Sequence, residues 1–365
     1  MAPGGASTSN KSGLGSPASN SRTGCVLRSI GPPEYGTFRE SNLMAQAAPS
    51  PDPADTIRVR RSARPAWMIT AKDFVTSYPY LIPVLFFFIG WQLWPIGTSL
   101  YLSFTDERFL DTEPANWVGL QNYRMLIRDD LFWSGIKRAL TFTAIFIPGM
   151  IFIPMLAAIL VDRVTNNKIS TIYRVILLIP SMIPAPLIFV LWTWMYDNYI
   201  GPINYVLVDR LQWFDLASSP LWLDNDRLIF FSIAFMEWWW GLGYHTMFFL
   251  AGLASIPKDL PDAARVDGAG EWRMFWGVTI WRLLPIILVL TVIRFGSAMA
   301  VVTEYIIMQG FDRTSSTYTW TMYMYDEAFR SGQQFRGFAA AIGWLGAIFM
   351  LMVVAGLFYL FRSRD

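Results

Sequence analysis

Residues 139–161 read Ala-Leu-Thr-Phe-Thr-Ala-Ile-Phe-Ile-Pro-Gly-Met-Ile-Phe-Ile-Pro-Met-Leu-Ala-Ala-Ile-Leu-Val, a run without a single charge. At 1.5 Å per residue such a helix is ~35 Å long, enough to cross a hydrocarbon core of ~30 Å. Apolar residues stand at consecutive positions, so the alternation of a barrel strand is absent and a helix is the structure that satisfies the backbone in lipid. Five further apolar runs lie at about 80–104, 171–196, 228–252, 278–302 and 338–361. Prolines at 83, 95, 148, 154, 180, 184, 186 and 285 predict kinks or breaks within them. The expectation is an all-α integral membrane protein with six transmembrane helices.

Composition agrees. Only 15% of the 365 residues are charged, against about a quarter in soluble domains. The net charge of +2 gives no field that attracts nucleic acid. One cysteine, Cys25, excludes a disulfide framework, and one histidine, His245, argues against a histidine metal site or triad. Residues 1–65 are rich in Gly, Ser, Ala, Asn and Pro and are expected to form a disordered tail, leaving 66–365 as the membrane domain. A phosphate-loop imitation at Gly5 to Ser12 has Asn10 where a glycine is required.

Charge sets the orientation. Arg58, Arg60, Arg61, Arg64 and Lys72 precede the first run, and Arg163, Lys168 and Arg174 mark the passage from second to third. Lys258, Arg265 and Arg273 follow the fourth, and Arg362 and Arg364 the sixth. Six alternating helices put all of these on one side, the cytoplasm, with both termini inside. The loop after the third run is acidic instead, with Asp197, Asp209, Asp215, Asp224 and Asp226.

The segment joining runs four and five, 255–276, carries Ile256-Pro257-Lys258-Asp259-Leu260-Pro261-Asp262-Ala263-Ala264-Arg265-Val266-Asp267-Gly268-Ala269, then Trp272 and Phe275. It reads as helix, turn, helix. Prolines suit a first turn, where a missing N–H costs nothing. Asp259 and Asp262 suit the positive helix start. Ala263 and Ala264 offer a smooth face, Gly268 a left-handed stop, and Asp267 an acceptor for the start of the second helix.

Asp262-Ala263-Ala264-Arg265-Val266-Asp267-Gly268-Ala269 resembles the Glu-Ala-Ala, three residues, Gly hallmark of membrane subunits of binding-protein-dependent ABC importers, of the maltose and glycerol-phosphate uptake type. Gly119-Leu120-Gln121-Asn122-Tyr123, Arg174 to Pro180, Trp192, Trp194, Gly201, Asn204 and Ala251-Gly252-Leu253 also resemble that family, as do Tyr325, Ala328, Phe329, Gly337 and Ala340. The order favours the first-permease type. Asp262 stands where Glu is usual, Trp281 replaces a frequent proline, and Met308 to Asp312 replaces a Gly-Gly-Pro. The resemblance implies a cytoplasmic coupling helix in which Asp262, Ala263, Ala264, Asp267, Gly268 and Ala269 meet an ATPase. It also implies no catalysis and no cofactor on this chain, with ATP and Mg on two partner ATPase subunits. A second permease and an external solute-binding protein complete the assembly. The implied solute is a sugar or a related polyol or sugar phosphate. The alternative from another class is an ion-coupled secondary transporter, which predicts more embedded carboxylates and repeated halves.

Glu237 and Arg294 both fall ~12–14 Å inside the external boundary by residue count. Intramembrane charges are expensive and tend to pair, so the two are expected to meet, either on the solute path or as a structural bridge. Trp239, Trp240 and Tyr244 are candidates for stacking on a sugar face, with packing as the competing role. His245 is expected to pack or to hydrogen-bond.

Overall fold

A computed structural model describes residues 71–109, 114–257, 259–332 and 335–362. The tail expectation, including Cys25 and the phosphate-loop imitation, lies outside these residues. The described residues are helical, without a strand, apart from two isolated bridges, Thr105–Trp117 and Arg108–Phe335.

The first run forms α1 (Ala71–Phe87), a π turn (Phe88–Leu93) and α2 (Trp94–Leu102). α3 (Gln121–Ile127) follows a loop held by the Gly119 to Tyr123 stretch: Asn122 Nδ2 donates to the carbonyls of Ser103 and Thr105, both at 2.9 Å. Gly119 turns the chain there at φ +59°.

α4 (Asp130–Asp162) contains the opening stretch in one helix of 33 residues. Asp129 caps it, accepting from Leu131 N at 2.8 Å. Phe132, Ile136, Ala139, Thr143, Phe146 and Met150 are buried along it, a three-and-four spacing that puts them on one face.

The third run is two helices, not one. α5 (Asn167–Leu178) ends before a 3-10 turn (Pro180–Met182), and α6 (Ala185–Met195) begins after it. Pro180, Pro184 and Pro186 remove three N–H donors within seven residues, and a proline drives the residue before it into extended backbone; Ile183 has φ −81° and ψ 133°. The freed Ile183 carbonyl accepts from Trp240 Nε1 at 3.2 Å. α7 (Pro202–Tyr205) lies in the following loop.

α8 (Ile229–Ala254) is the fourth run. It is long enough to span but less apolar, because Glu237, His245 and three tryptophans sit in it. It packs along α4 and against α5. A Cβ added at Gly243 would stand 2.1 Å from the Leu177 carbonyl oxygen, so only glycine admits that backbone contact.

α9 (Asp259–Val266) and α10 (Glu271–Met274) form the connecting segment, and α10 continues through a π turn (Phe275–Thr279) into α11 (Ile280–Met299). α12 (Thr303–Met308), α13 (Trp320–Phe329) and α14 (Arg336–Arg362) complete the chain. Among the described residues, four helical stretches are long and apolar enough to cross a membrane: Pro79–Leu102, Asp130–Asp162, Glu271–Met299 and Arg336–Tyr359.

Candidate functional site

Two regions carry unusual chemistry, the α9–α10 elbow and a charged cavity between α4, α8, α11 and α12. α9 opens on Asp259 and Asp262 and closes on Arg265, whose Nη1 lies 3.0 Å from Asp262 Oδ1. Its end is a Schellman turn: Gly268 N donates to Arg265 O at 3.0 Å and Ala269 N to Ala264 O at 2.9 Å. Gly268 has φ +75°, the left-handed region that disfavours any side chain. The assignment of Asp267 as the cap of the second helix is corrected. Its own N–H still donates to Ala263 O at 3.0 Å, so it belongs to the end of α9. Gly270, extended at φ −69° and ψ 164°, is the residue that starts α10.

The elbow is presented outward. Asp262, Ala263, Asp267 and Gly268 are exposed, while Ala264 and Ala269 are half-buried. Val266 is 88% exposed and Trp272 73%, which is a large apolar display for residues with no role in this chain's core. Beneath the elbow Arg163 Nη2, at the end of α4, meets Glu271 Oε2 at 2.5 Å. That pair ties the α4 end to the start of α10.

In the second region Arg294 Nη2 of α11 lies 3.2 Å from Glu237 Oε2 of α8. Glu237 is 7% exposed. The guanidinium also rests 5.3 Å from the centre of the Phe146 ring. A cavity of about 230 Å³ opens here, lined by Phe142, Phe146, Glu237, Trp240, Arg294 and Glu304 among others. Glu237 Oε1 and Arg294 Nε are buried without a protein hydrogen-bond partner. Taking two ions out of water costs several kcal/mol each unless they are well paired, and here each keeps one polar atom unserved.

The three tryptophans diverge. Trp238 Nε1 donates to Phe146 O at 2.9 Å and so fastens α8 to α4. Trp239 packs on Trp192, ring centres 5.6 Å apart, and Tyr244 on Phe248 at 5.0 Å; neither lines the cavity. Only Trp240 does. His245 Nδ1 lies 2.7 Å from Gly241 O, a hydrogen bond within α8. Sequence reasoning missed Glu304, although it is the sole charge between residues 295 and 311.

The segment between α12 and α14 holds a second polar group. Arg313 Nη2 lies 2.6 Å from Asp326 Oδ2 and 3.2 Å from Glu327 Oε1, and Tyr318 OH donates to Asp326 at 2.8 Å. Burial pushes the Glu327 carboxyl above its ordinary range, with Arg313 opposing. Tyr323 OH donates to Asp129 Oδ2 at 2.7 Å, which joins this segment to the α4 cap.

Residues 150–364 match the family model for the binding-protein-dependent transport system inner membrane component. The chain is 30% identical over 313 residues to the probable ABC transporter permease protein YesP of Bacillus subtilis (strain 168), covering 83% of this chain and 92% of that one. It is 27% identical over 271 residues to the sulfoquinovosyl glycerol transport system permease protein SmoG of Agrobacterium fabrum, covering 74% and 86%. Its fold is similar to a chain of a bacterial ABC transporter involved in the import of the acidic polysaccharide alginate, with TM-score 0.69 and 23% identity, covering 82% of this chain and 99% of that chain.

Proposed function

The chain belongs to the binding-protein-dependent transport system inner-membrane component family, and on that footing we propose that it is the permease subunit of an ATP-driven importer of a sugar, polyol or sugar phosphate. Residues 66–365 form the transmembrane domain, with six crossings, and both termini are cytoplasmic. The chain supplies half of the translocation path, and Glu237, Trp240 and Arg294 face the solute. The other half comes from a second permease, the energy from two ATPase subunits carrying ATP and Mg, and the solute from an external binding protein. A relative named for sulfoquinovosyl glycerol transport supports a glycosidic solute.

The observation that carries the reading is the elbow. Its Schellman turn is fully formed, yet a Cβ added at Gly268 would meet nothing within 4 Å in this chain. A turn specified this closely, beside exposed Ala263, Val266 and Trp272, is built for another molecule. The proposed occupant is the ATPase, with Asp262, Ala263, Ala264, Asp267, Gly268 and Ala269 as the contact.

The test is substitution in the elbow. Gly268→Val opposes the left-handed turn, and Ala264→Trp blocks close approach. Both variants are expected to insert normally but to lose co-purifying ATPase or solute-stimulated ATP hydrolysis in reconstituted vesicles. Retention of both properties in both variants overturns the assignment of the elbow.

A further inference from the structure

Resting on the assignment of the elbow as the ATPase contact, we propose that Arg163 and Glu271 are positioning residues for coupling: their ion pair makes α4 follow the elbow when the ATPase pushes it. The elbow has little other hold on the chain. Neither α9 nor α10 has a buried residue. Beneath α9 lies a cavity of about 320 Å³, walled by the ends of α4 and α8 and by α10, with Ile159, Leu253, Ile256, Pro261 and Met274 among its lining. A void has no atoms to push against, so α9 cannot press directly on the helices below it. Its displacement leaves along the chain instead, through Gly268 to Gly270 into α10 and on to α11.

That route serves α11, which carries Arg294, but not α4, whose Phe142 and Phe146 line the same intramembrane cavity. Among the described residues, Arg163–Glu271 at 2.5 Å is the one ion pair or side-chain hydrogen bond that joins α9 or α10 to the end of another helix. Apolar packing begins at Phe275, which rests against the buried cluster of Met155, Ala158, Phe249 and Leu283. Apolar contact is non-directional and lets surfaces slide, whereas a charge-assisted hydrogen bond fixes both distance and direction.

Each charge also suits its own helix end, Arg163 at the C-terminus of α4 and Glu271 at the first position of α10. That accounts for the residue types but not for their meeting. Asp162, another carboxylate on the cavity rim, stands on α4 itself, so pairing with it would join no second element. The two side chains are 58% and 57% exposed, which limits the pair to a factor of about two to five in an equilibrium. Such a pair does little to hold the fold, yet it can decide whether α4 and α10 stay together under load.

The experiment uses the full chain assembled with its partner permease and ATPase subunits in nanodiscs. In a Cys25→Ser background, nitroxides are placed by Leu160→Cys in the last turn of α4 and Trp276→Cys just past α10, both exposed in this chain. Pulsed EPR reads the fraction of molecules in which the two labels separate, without nucleotide and with ATP plus vanadate. With the pair intact, one distance is expected in both states. Glu271→Gln and Arg163→Gln should each raise the separated fraction under ATP plus vanadate by about two- to fivefold, and Arg163→Glu/Glu271→Arg should bring most of it back. Melting and ATPase retention should stay as they were. A bridge that only holds the fold would lower melting and leave the nucleotide response alone, which overturns the proposal. Single variants that match the intact chain, or a charge swap that stays separated, overturn it too. ATPase lost from Glu271→Gln makes that carboxylate a direct contact, with the same consequence. Any of these results with ATPase still bound to the intact chain leaves the elbow assignment standing. Failure of the intact chain to retain ATPase sinks that assignment, and this inference with it.

Discussion

α8 and α9 are separated by four residues, yet they solve opposite problems. α8 buries a carboxylate, a histidine and three glycines among aromatic rings, and most of its polar choices have a reason inside this chain. Glu237 meets Arg294, His245 meets Gly241 O, and Gly243 lets the Leu177 backbone in. α9 is specified just as tightly at its Gly268 stop, but its apolar and small residues touch little of this chain. Specification with contacts marks α8 as core, and specification without internal contacts is the ground on which α9 is proposed as a partner surface.

Arg294→Gln should give the largest effect. It strands Glu237 and Glu304 in the interior, at a cost of about 3–5 kcal/mol for a broken buried pair. Denaturation in mixed detergent micelles should show that loss, and Glu237→Gln/Arg294→Gln should recover much of it. Equal and additive losses from the two single changes would mean that the 3.2 Å contact contributes nothing as a pair.

Gly243→Ala comes next. The added carbon meets backbone rather than a movable side chain, so overpacking of about 1–3 kcal/mol is expected. A thermal unfolding midpoint that does not move would show that α5 and α8 can separate freely.

Gly268→Ala is smaller still for the chain itself, about 1–2 kcal/mol for a side chain forced into the left-handed region. Because nothing surrounds it, the exposed turn can open locally to relieve that strain, so melting should fall by a few degrees at most while ATPase retention falls. A large fall in melting temperature would erase the contrast between the two regions.

The smallest effect is pH-dependent and lies in the loop after α2. Asp106 Oδ1 accepts from Asn116 N at 2.6 Å, and Oδ2 from Asn116 Nδ2 at 3.3 Å. These bonds hold the Asp106 carboxyl below its ordinary range. A depressed carboxylate contributes stability above its unfolded value and loses it as pH falls through the folded one. Hydrogen exchange at Asn116, corrected for intrinsic rates, should therefore quicken only in acid, and Asp106→Asn should abolish that dependence. An unchanged profile in the variant would assign the acid response to another group.

Much of this was legible in the sequence, for local reasons. The uncharged run at 139–161 lies inside one helix, and Gly268 sits left-handed where a stop was expected. Glu237 and Arg294 were matched in depth by counting residues from the helix ends. What was illegible depends on distant neighbours. Glu304 reaches the cavity across the break at Ala300 to Val302, where α11 has ended at Met299 and α12 begins at Thr303. Trp239 and Trp240 are adjacent in sequence, and which of them faces the cavity is decided by Trp192 and Ile183 on α6 and its approach. Asp267 failed as a cap because it still closes α9, and the turn runs through Gly268 and Ala269 before the extended Gly270 starts the next helix.

From Glu271 to Met299 the chain stays helical, through α10, the π turn and α11 with Pro285 inside it. Glu271 and Arg294 therefore ride on one shaft, 23 positions apart, or about 35 Å. A lever of that length turns small angles into decisive displacements. A tilt of about 5° at the elbow carries the far residue about 3 Å at this rise per residue, comparable to the 3.2 Å that separates Arg294 from Glu237. Under the proposed reading, a tilt at the elbow that the stretch passed on as one body would be enlarged to the scale of the ion pair at the other end.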